Sequence, residues 1–92
     1  MNTSELRELD AKVAERVMGY GKLADWHWRP AFSSTIKHAW LVLEVMRERS
    51  RVQLTYDGML WICHFFDLSA KASSETLPEA ICLAALKAVE DE

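Results

Sequence analysis

Asp57-Gly58 lies between two alternating runs, VQLTY before it and MLWICHFF after it. No other stretch narrows the possible folds as much. Both residues tolerate the positive φ that a type I′ turn requires, so the pair predicts a two-residue β-hairpin. Closing the hairpin there sets its register. Tyr56 faces Met59, Leu54 faces Trp61 and Val52 faces Cys63. These six side chains share one face of the sheet, and Phe65 extends it. On the other face Thr55 pairs with Leu60 and Gln53 with Ile62, while Arg51 lies near His64, so that face is mixed. A slip of one residue would place Gln53 and Thr55 among the apolar side chains, which fixes the register.

Helices flank the hairpin. Leu6, Leu9, Val13 and Val17 fall at helical spacing and predict an amphipathic helix over residues 3–18. Asn2 or Thr3 caps its start, and Gly19 ends it in a left-handed conformation. A connection of about fifteen residues follows, Tyr20 to Ser34, long for so small a domain. Ser33 or Ser34 then caps a second helix running to about Arg49. Ile36, Ala39, Trp40, Leu43 and Met46 form its main apolar face, widened by Leu41, Val42 and Val45. A helix this apolar is expected to be buried on more than one side. Arg47, Arg49 and Arg51 suit its negative C-terminal end.

After the hairpin, Leu68, Ala70 and Ala72 alternate with Ser69, Lys71 and Ser73 and predict a third, weaker strand. Thr76-Leu77-Pro78-Glu79 is a capping box, with proline where a first-turn amide has no helical partner. The helix it opens carries Ile81, Ala84, Ala85 and Ala88 on one close-packing face. Glu90-Asp91-Glu92 is expected to fray. The fold class is therefore α+β, a single domain over residues 1–92 in the order α-α-β-β-β-α. Its antiparallel three-stranded meander should have helices on both faces, an α/β/α sandwich. Both faces of the middle strand carry apolar residues and call for two coverings. The last two helices should cover Leu54, Tyr56, Trp61 and Phe65. The first should cover part of the Leu60 and Ile62 face. Trp40 and Trp61 are read as core residues.

Half of the 92 residues are hydrophobic, which excludes a disordered chain. The formal charge of −3 argues against direct nucleic-acid binding, which needs a basic field. Cys63 and Cys82 sit inside apolar patterns and read as buried thiols of a reducing cytosol. The N-terminus is polar and acidic, unlike a signal peptide, and no apolar run approaches the ~18 residues of a membrane span.

Three strings carry a family resemblance: LDAKVAERVMGY, SSTIKHAWLVLEVM and TLPEAICLAALKAV. Together they make the chain similar to the phage ABA sandwich domain family, small proteins of phages and prophages. The family pattern has a Met-Gly-aromatic step after the first helix, here Met18-Gly19-Tyr20. It continues with a tryptophan in the second helix, here Trp40, and an Ala-Ile-Cys in the last, here Ala80-Ile81-Cys82. Residues 21–31 depart from it, above all at Trp26-His27-Trp28. The resemblance implies one sheet with helices on both faces and a phage origin. It implies no enzymatic activity and no catalytic residues.

No catalytic or metal constellation appears in the sequence. Cys63 and His64 are strand neighbours and point to opposite faces, so they cannot converge on one ion with Cys82, His27 or His38. No CxxC or HxxxH spacing is present. Ser33, Ser34, Ser73, Ser74 and Thr76 are accounted for by caps and turns, and neither cysteine has an electropositive setting. There is no phosphate-binding glycine loop. The order from the second helix onward matches a double-stranded-RNA-binding domain, but Ser74 to Glu79 lacks the lysines that such a domain needs there. These readings predict no enzyme, no metal and no cofactor.

Trp26-His27-Trp28-Arg29 is the stretch the fold explains least. Tryptophan and arginine are enriched at protein-binding hot spots, so these four residues are the candidate partner-binding site. The expectation is a phage-encoded accessory protein of the host bacterial cytosol that binds a host protein or protein–nucleic-acid complex. Its expected role is to inhibit a host defence complex, as an anti-CRISPR protein does. The alternative is a virion or assembly component, or a small-molecule-binding protein that sequesters a signal. A homodimer is expected if the first helix leaves Leu60, Ile62 and Phe66 as an exposed apolar strip.

Overall fold

The structure, a computed structural model, describes residues 3–19 and 32–90. Helix α1 spans Thr3–Arg16. Leu9 and Val13 are buried and Leu6 and Val17 half-buried, the stripe that the spacing predicts. The amides of Val17 and Met18 both donate to the Val13 carbonyl at 2.9 and 3.0 Å, and Gly19 follows at φ +69°. That left-handed glycine turns the chain off the helix at little steric cost. Asn2, one of the two expected caps, lies outside the described residues. Thr3 is the first residue of the helix itself.

Helix α2 spans Ile36–Arg47, a shorter run than expected. Its cap residue is Thr35, extended at φ −126°, rather than Ser33 or Ser34. Ser33 is buried and bonded elsewhere. The inward face is Ala39, Val42, Leu43 and Met46, while Ile36, Trp40 and Leu41 are exposed. Trp40 is therefore not a core residue. The helix presents its small and aliphatic residues to α3 and turns the indole outward.

Strands β1 (Val52–Tyr56), β2 (Trp61–Phe65) and β3 (Ala70–Ser74) form an antiparallel meander in the order β1-β2-β3. The hairpin register differs from the expected one by two residues. Tyr56 faces Trp61, Leu54 faces Cys63 and Val52 faces Phe65. The cause lies in the turn. Asp57 does not adopt positive φ, whereas Gly58 does, at +100°. Gly58-Met59 thus becomes the central pair, closed by the Asp57 amide donating to the Leu60 carbonyl at 3.1 Å. Asp57 Oδ1 accepts from the amides of Met59 and Leu60 at 2.9 and 2.8 Å. An aspartate that satisfies two turn amides with its side chain favours this placement over the central one. A two-residue shift preserves parity, so Val52, Leu54, Tyr56, Trp61, Cys63 and Phe65 still share a face.

Between β2 and β3, Phe66–Leu68 form a 3₁₀ turn, and Ser69 is left-handed at φ +51°. Leu68 and Ser69 thus belong to the turn and not to the third strand. The turn is tied to the start of β1. The Phe66 amide donates to the Arg51 carbonyl at 3.0 Å, the Asp67 amide to Ser50 Oγ at 3.0 Å, and the Arg51 amide to Asp67 Oδ2 at 2.8 Å.

Helix α3 spans Leu77–Glu90 and starts where the capping box places it, with the Ala80 amide donating to the Thr76 carbonyl. Ala80, Ile81, Cys82, Ala84, Ala85, Leu86 and Ala88 are all buried, covering most of its circumference. The reason is its position. It packs on β3 and β2, on α2 and on α1. Four alanines let neighbours approach closely from several directions. The core comprises Cys63, Phe65 and Ala70 from the sheet, the buried residues of α3 and α2, Leu9, Val13 and Ala14 from α1, and Phe32. Helix α1 is placed differently from the expectation. It packs on α3 rather than on the Leu60 and Ile62 face of the sheet. On that face Gln53, Thr55, Lys71 and Ser73 are exposed and Ile62 and His64 half-buried.

Candidate functional site

Trp26, His27, Trp28 and Arg29 lie outside the described residues, but both anchors of their segment are described. The chain leaves α1 at Gly19 and returns at Phe32 and Ser33, both buried. The Ser33 amide donates to Asp10 Oδ1 at 2.7 Å, and its hydroxyl donates to the Leu6 carbonyl at 3.3 Å. The segment therefore starts at one end of α1 and is fastened again to the same helix further back, at Leu6 and Asp10. Burial pushes the Asp10 carboxyl above its ordinary value, opposed by the Ser33 hydrogen bonds and the nearby His38. The sequence carried a sign of this anchor in Phe32 and Ser33, an apolar residue beside a small donor. Their reading as loop end and helix cap hid it.

The outer face of α2 presents Ile36, Trp40 and Leu41 to solvent, with Trp40 50% exposed. Beside it, an open groove of about 310 Å³ is lined by Met18, Leu41, Glu44, Val45 and Glu48. This surface was missed because eight of the twelve residues of α2 are apolar. A helix with one packed face cannot bury that many, and the excess was the available signal.

A second aromatic group lies at the hairpin end. The rings of Tyr56 and Trp61 are 4.9 Å apart and tilted, and Tyr56 is 53% exposed. Met59 projects at the tip. The His64 and Phe66 rings are 4.1 Å apart on the mixed face. Of the expected Leu60, Ile62 and Phe66 strip, only Phe66 is exposed; the other two are half-buried. Arg51 does not pair with His64; Gln53 does, and Arg51 Nη2 reaches Asp67 Oδ1 at 3.5 Å instead.

The two thiols are poor nucleophiles. Cys63 and Cys82 are both free and buried, and burial pushes the Cys63 thiol up to about 12 and that of Cys82 higher still. A thiol reacts as its thiolate, which these sites disfavour. Among the described residues, no group of three His, Cys, Asp or Glu side chains could hold a metal ion. No helix among them is long and apolar enough to cross a membrane. Among the described residues, apolar and aromatic side chains stand exposed on α2, where Glu44 and Glu48 share the groove, and at the hairpin end.

The model of the phage ABA sandwich domain matches residues 11–86 of the chain. The fold is similar to that of a phage protein from Bacillus cereus ATCC 14579, known from a crystal structure at 2.0 Å. The two superpose with a TM-score of 0.73 at 28% identity, over 97% of this chain and 96% of that one. No curated protein matches the chain.

Proposed function

Since this chain belongs to the phage ABA sandwich domain family, we propose that it is a phage accessory protein that works by binding another protein, not by catalysis. The likeness to the Bacillus cereus phage protein supports the phage origin. The observation that carries the binding reading is the outer face of α2. Ile36, Trp40 and Leu41 stand exposed together on one helix, and tryptophan in such a setting is a characteristic binding anchor. Trp26, His27, Trp28 and Arg29 are proposed as further contacts. Their segment ends at Phe32 and Ser33, only a few residues before α2.

The proposed partner is a host defence complex that handles nucleic acid, and the protein inhibits it in the host cytosol, as an anti-CRISPR protein does. Two features support that choice. The chain carries a formal charge of −3, and Glu44 and Glu48 line the groove on the helix that carries Trp40. Complexes that handle nucleic acid expose basic surfaces, to which acidic partners associate faster. The same charge speaks against direct nucleic-acid binding by this chain. No membrane contact, metal or cofactor is part of the proposal.

The test is affinity capture from a bacterial lysate with three baits: wild type, Trp40→Ser, and the Trp26→Ala, Trp28→Ala double variant. Circular dichroism and melting temperature would first establish that each bait is folded. A basic nucleic-acid-handling complex held by wild type and lost with the variants is the expected result. Capture of phage structural proteins alone would make this an assembly component. A copurifying small molecule without a protein partner would point to sequestration. Equal capture by all three baits would remove these tryptophans from the mechanism.

A further inference from the structure

The meander has two edges, and they are built differently. In an antiparallel pair, alternate residues of a strand turn their N–H and C=O groups toward the partner. The Asp57 amide reaches the Leu60 carbonyl and the Phe66 amide reaches the Arg51 carbonyl. Residues 51, 53, 55 and 57 therefore face β2, and Val52, Leu54 and Tyr56 turn their backbone groups outward. Among the described residues nothing pairs with that row. At the other edge, Lys71 and Ser73 turn outward by the same alternation, and an exposed lysine is a common device for blocking edge pairing. Strand β1 has no lysine, proline or bulge.

The apolar face of β1 is also under-covered. Helix α3 packs on β3 and β2, and there Ala70, Cys63 and Phe65 are fully buried. On β1 the residues of the same face, Val52 and Leu54, are only half-buried and Tyr56 is exposed.

We propose that the free edge of β1 pairs with β1 of a second copy of this chain, antiparallel about a two-fold axis through Leu54. That register uses the whole strand. Leu54 meets Leu54 of the second copy and Val52 meets Tyr56, so every outward N–H and C=O of the strand finds a partner. Gln53 meets Thr55 on the open face. Arg51 meets Asp57 at both ends, opposite charges brought together twice by the symmetry. Such a contact is self-complementary, as a two-fold interface must be. It joins three strands from each copy into one continuous antiparallel sheet, with the helices of both copies on the same side. Cross-strand apolar and opposite-charge pairs of this kind stabilise sheets.

Analytical ultracentrifugation of the full chain between low and high micromolar tests it. Wild type should sediment at twice the 10.6 kDa chain mass in the upper range. Gln53 and Thr55 are both exposed, and both can change without touching the core. The double variant Gln53→Lys, Thr55→Lys sets like charges opposite each other across the axis and should be monomeric, with the melting temperature that wild type shows at dilutions where it too is monomeric. Gln53→Glu with Thr55→Lys sets opposite charges there and should restore the dimer. Wild type monomeric throughout, or a double-lysine variant that still dimerises, would overturn the proposal. A charge-swapped variant that stays monomeric would overturn the Leu54-centred register.

Discussion

Asp10 and Ser33 show how much one hydrogen-bonded pair can organise. The carboxylate is half-buried and accepts the amide of a buried serine that begins the return of the chain toward α2. Asp10→Ala leaves that amide without its acceptor and should cost ~1–2 kcal/mol, a typical penalty for an unmade bond in a partly buried setting. Urea midpoints would measure it. Asp10→Asn keeps an acceptor oxygen and removes the charge, so it should cost less. The two variants also differ from wild type in pH dependence. Native Asp10 holds its proton more tightly than the unfolded chain does. As pH rises from below the ordinary carboxylate value, the unfolded state releases that proton first. Stability therefore falls across the window between the ordinary and the raised value. The asparagine variant should lack this segment of the pH–stability curve. Asp57 has the opposite sign, because the amides of Leu60 and Met59 hold its carboxyl below the usual value. Its contribution is present above the ordinary value and disappears as the pH drops through the lowered one.

At the scale of elements, the hairpin separates what patterning specifies from what a turn specifies. Alternation of apolar residues fixes which side chains share a face, and that reading survives a register that differs by two residues. Register itself depends on where the left-handed residue sits, and the side-chain bonds of Asp57 decide that. Such a bond is not visible in periodicity. Gly58→Ala should cost ~1–2 kcal/mol. The space beside Gly58 is open, so the cost is backbone strain at φ +100° and not a clash. Phe65→Ala, which truncates a fully buried ring, should cost ~3–5 kcal/mol by thermal or urea unfolding. Trp61→Ala should cost less, because its ring is only half-buried beside Tyr56. In α2 the spacing identified the helix but not its inward side. Eight apolar residues left two defensible faces, and contact with the alanines of α3 selected the one that hides Ala39 and exposes Trp40. The candidate site was legible only as aromatic residues in a segment the fold did not require. The exposed face of α2 emerged from packing, which no single-helix pattern encodes.

For the whole molecule, the order of elements and the sheet topology were legible because each element carries its own local signal. Which element occupies the middle was not. A smooth alanine-rich face predicts close packing but not how many neighbours use it. The two thiols, one on β2 and one on α3, report on that shared interior. A thiol reagent should find neither in the native protein and both after denaturation, at a rate that tracks global opening. A free thiol reacting under native conditions would show that the interior opens locally. The central place of α3 also bears on synthesis. It touches α1, α2, β2 and β3, yet it is the last of these elements to leave the ribosome. Until Leu77 onward is available, the sheet and the first two helices lack the surface they share. Nascent chains arrested before Thr76 should be cut by protease throughout, and chains extended past Glu90 on a linker should become resistant in one step. Protease resistance gained stepwise as each earlier element emerges would argue against this order. Until α3 emerges the cell would thus hold an adhesive, half-made fold, and its exposure to chaperones should end abruptly with that helix.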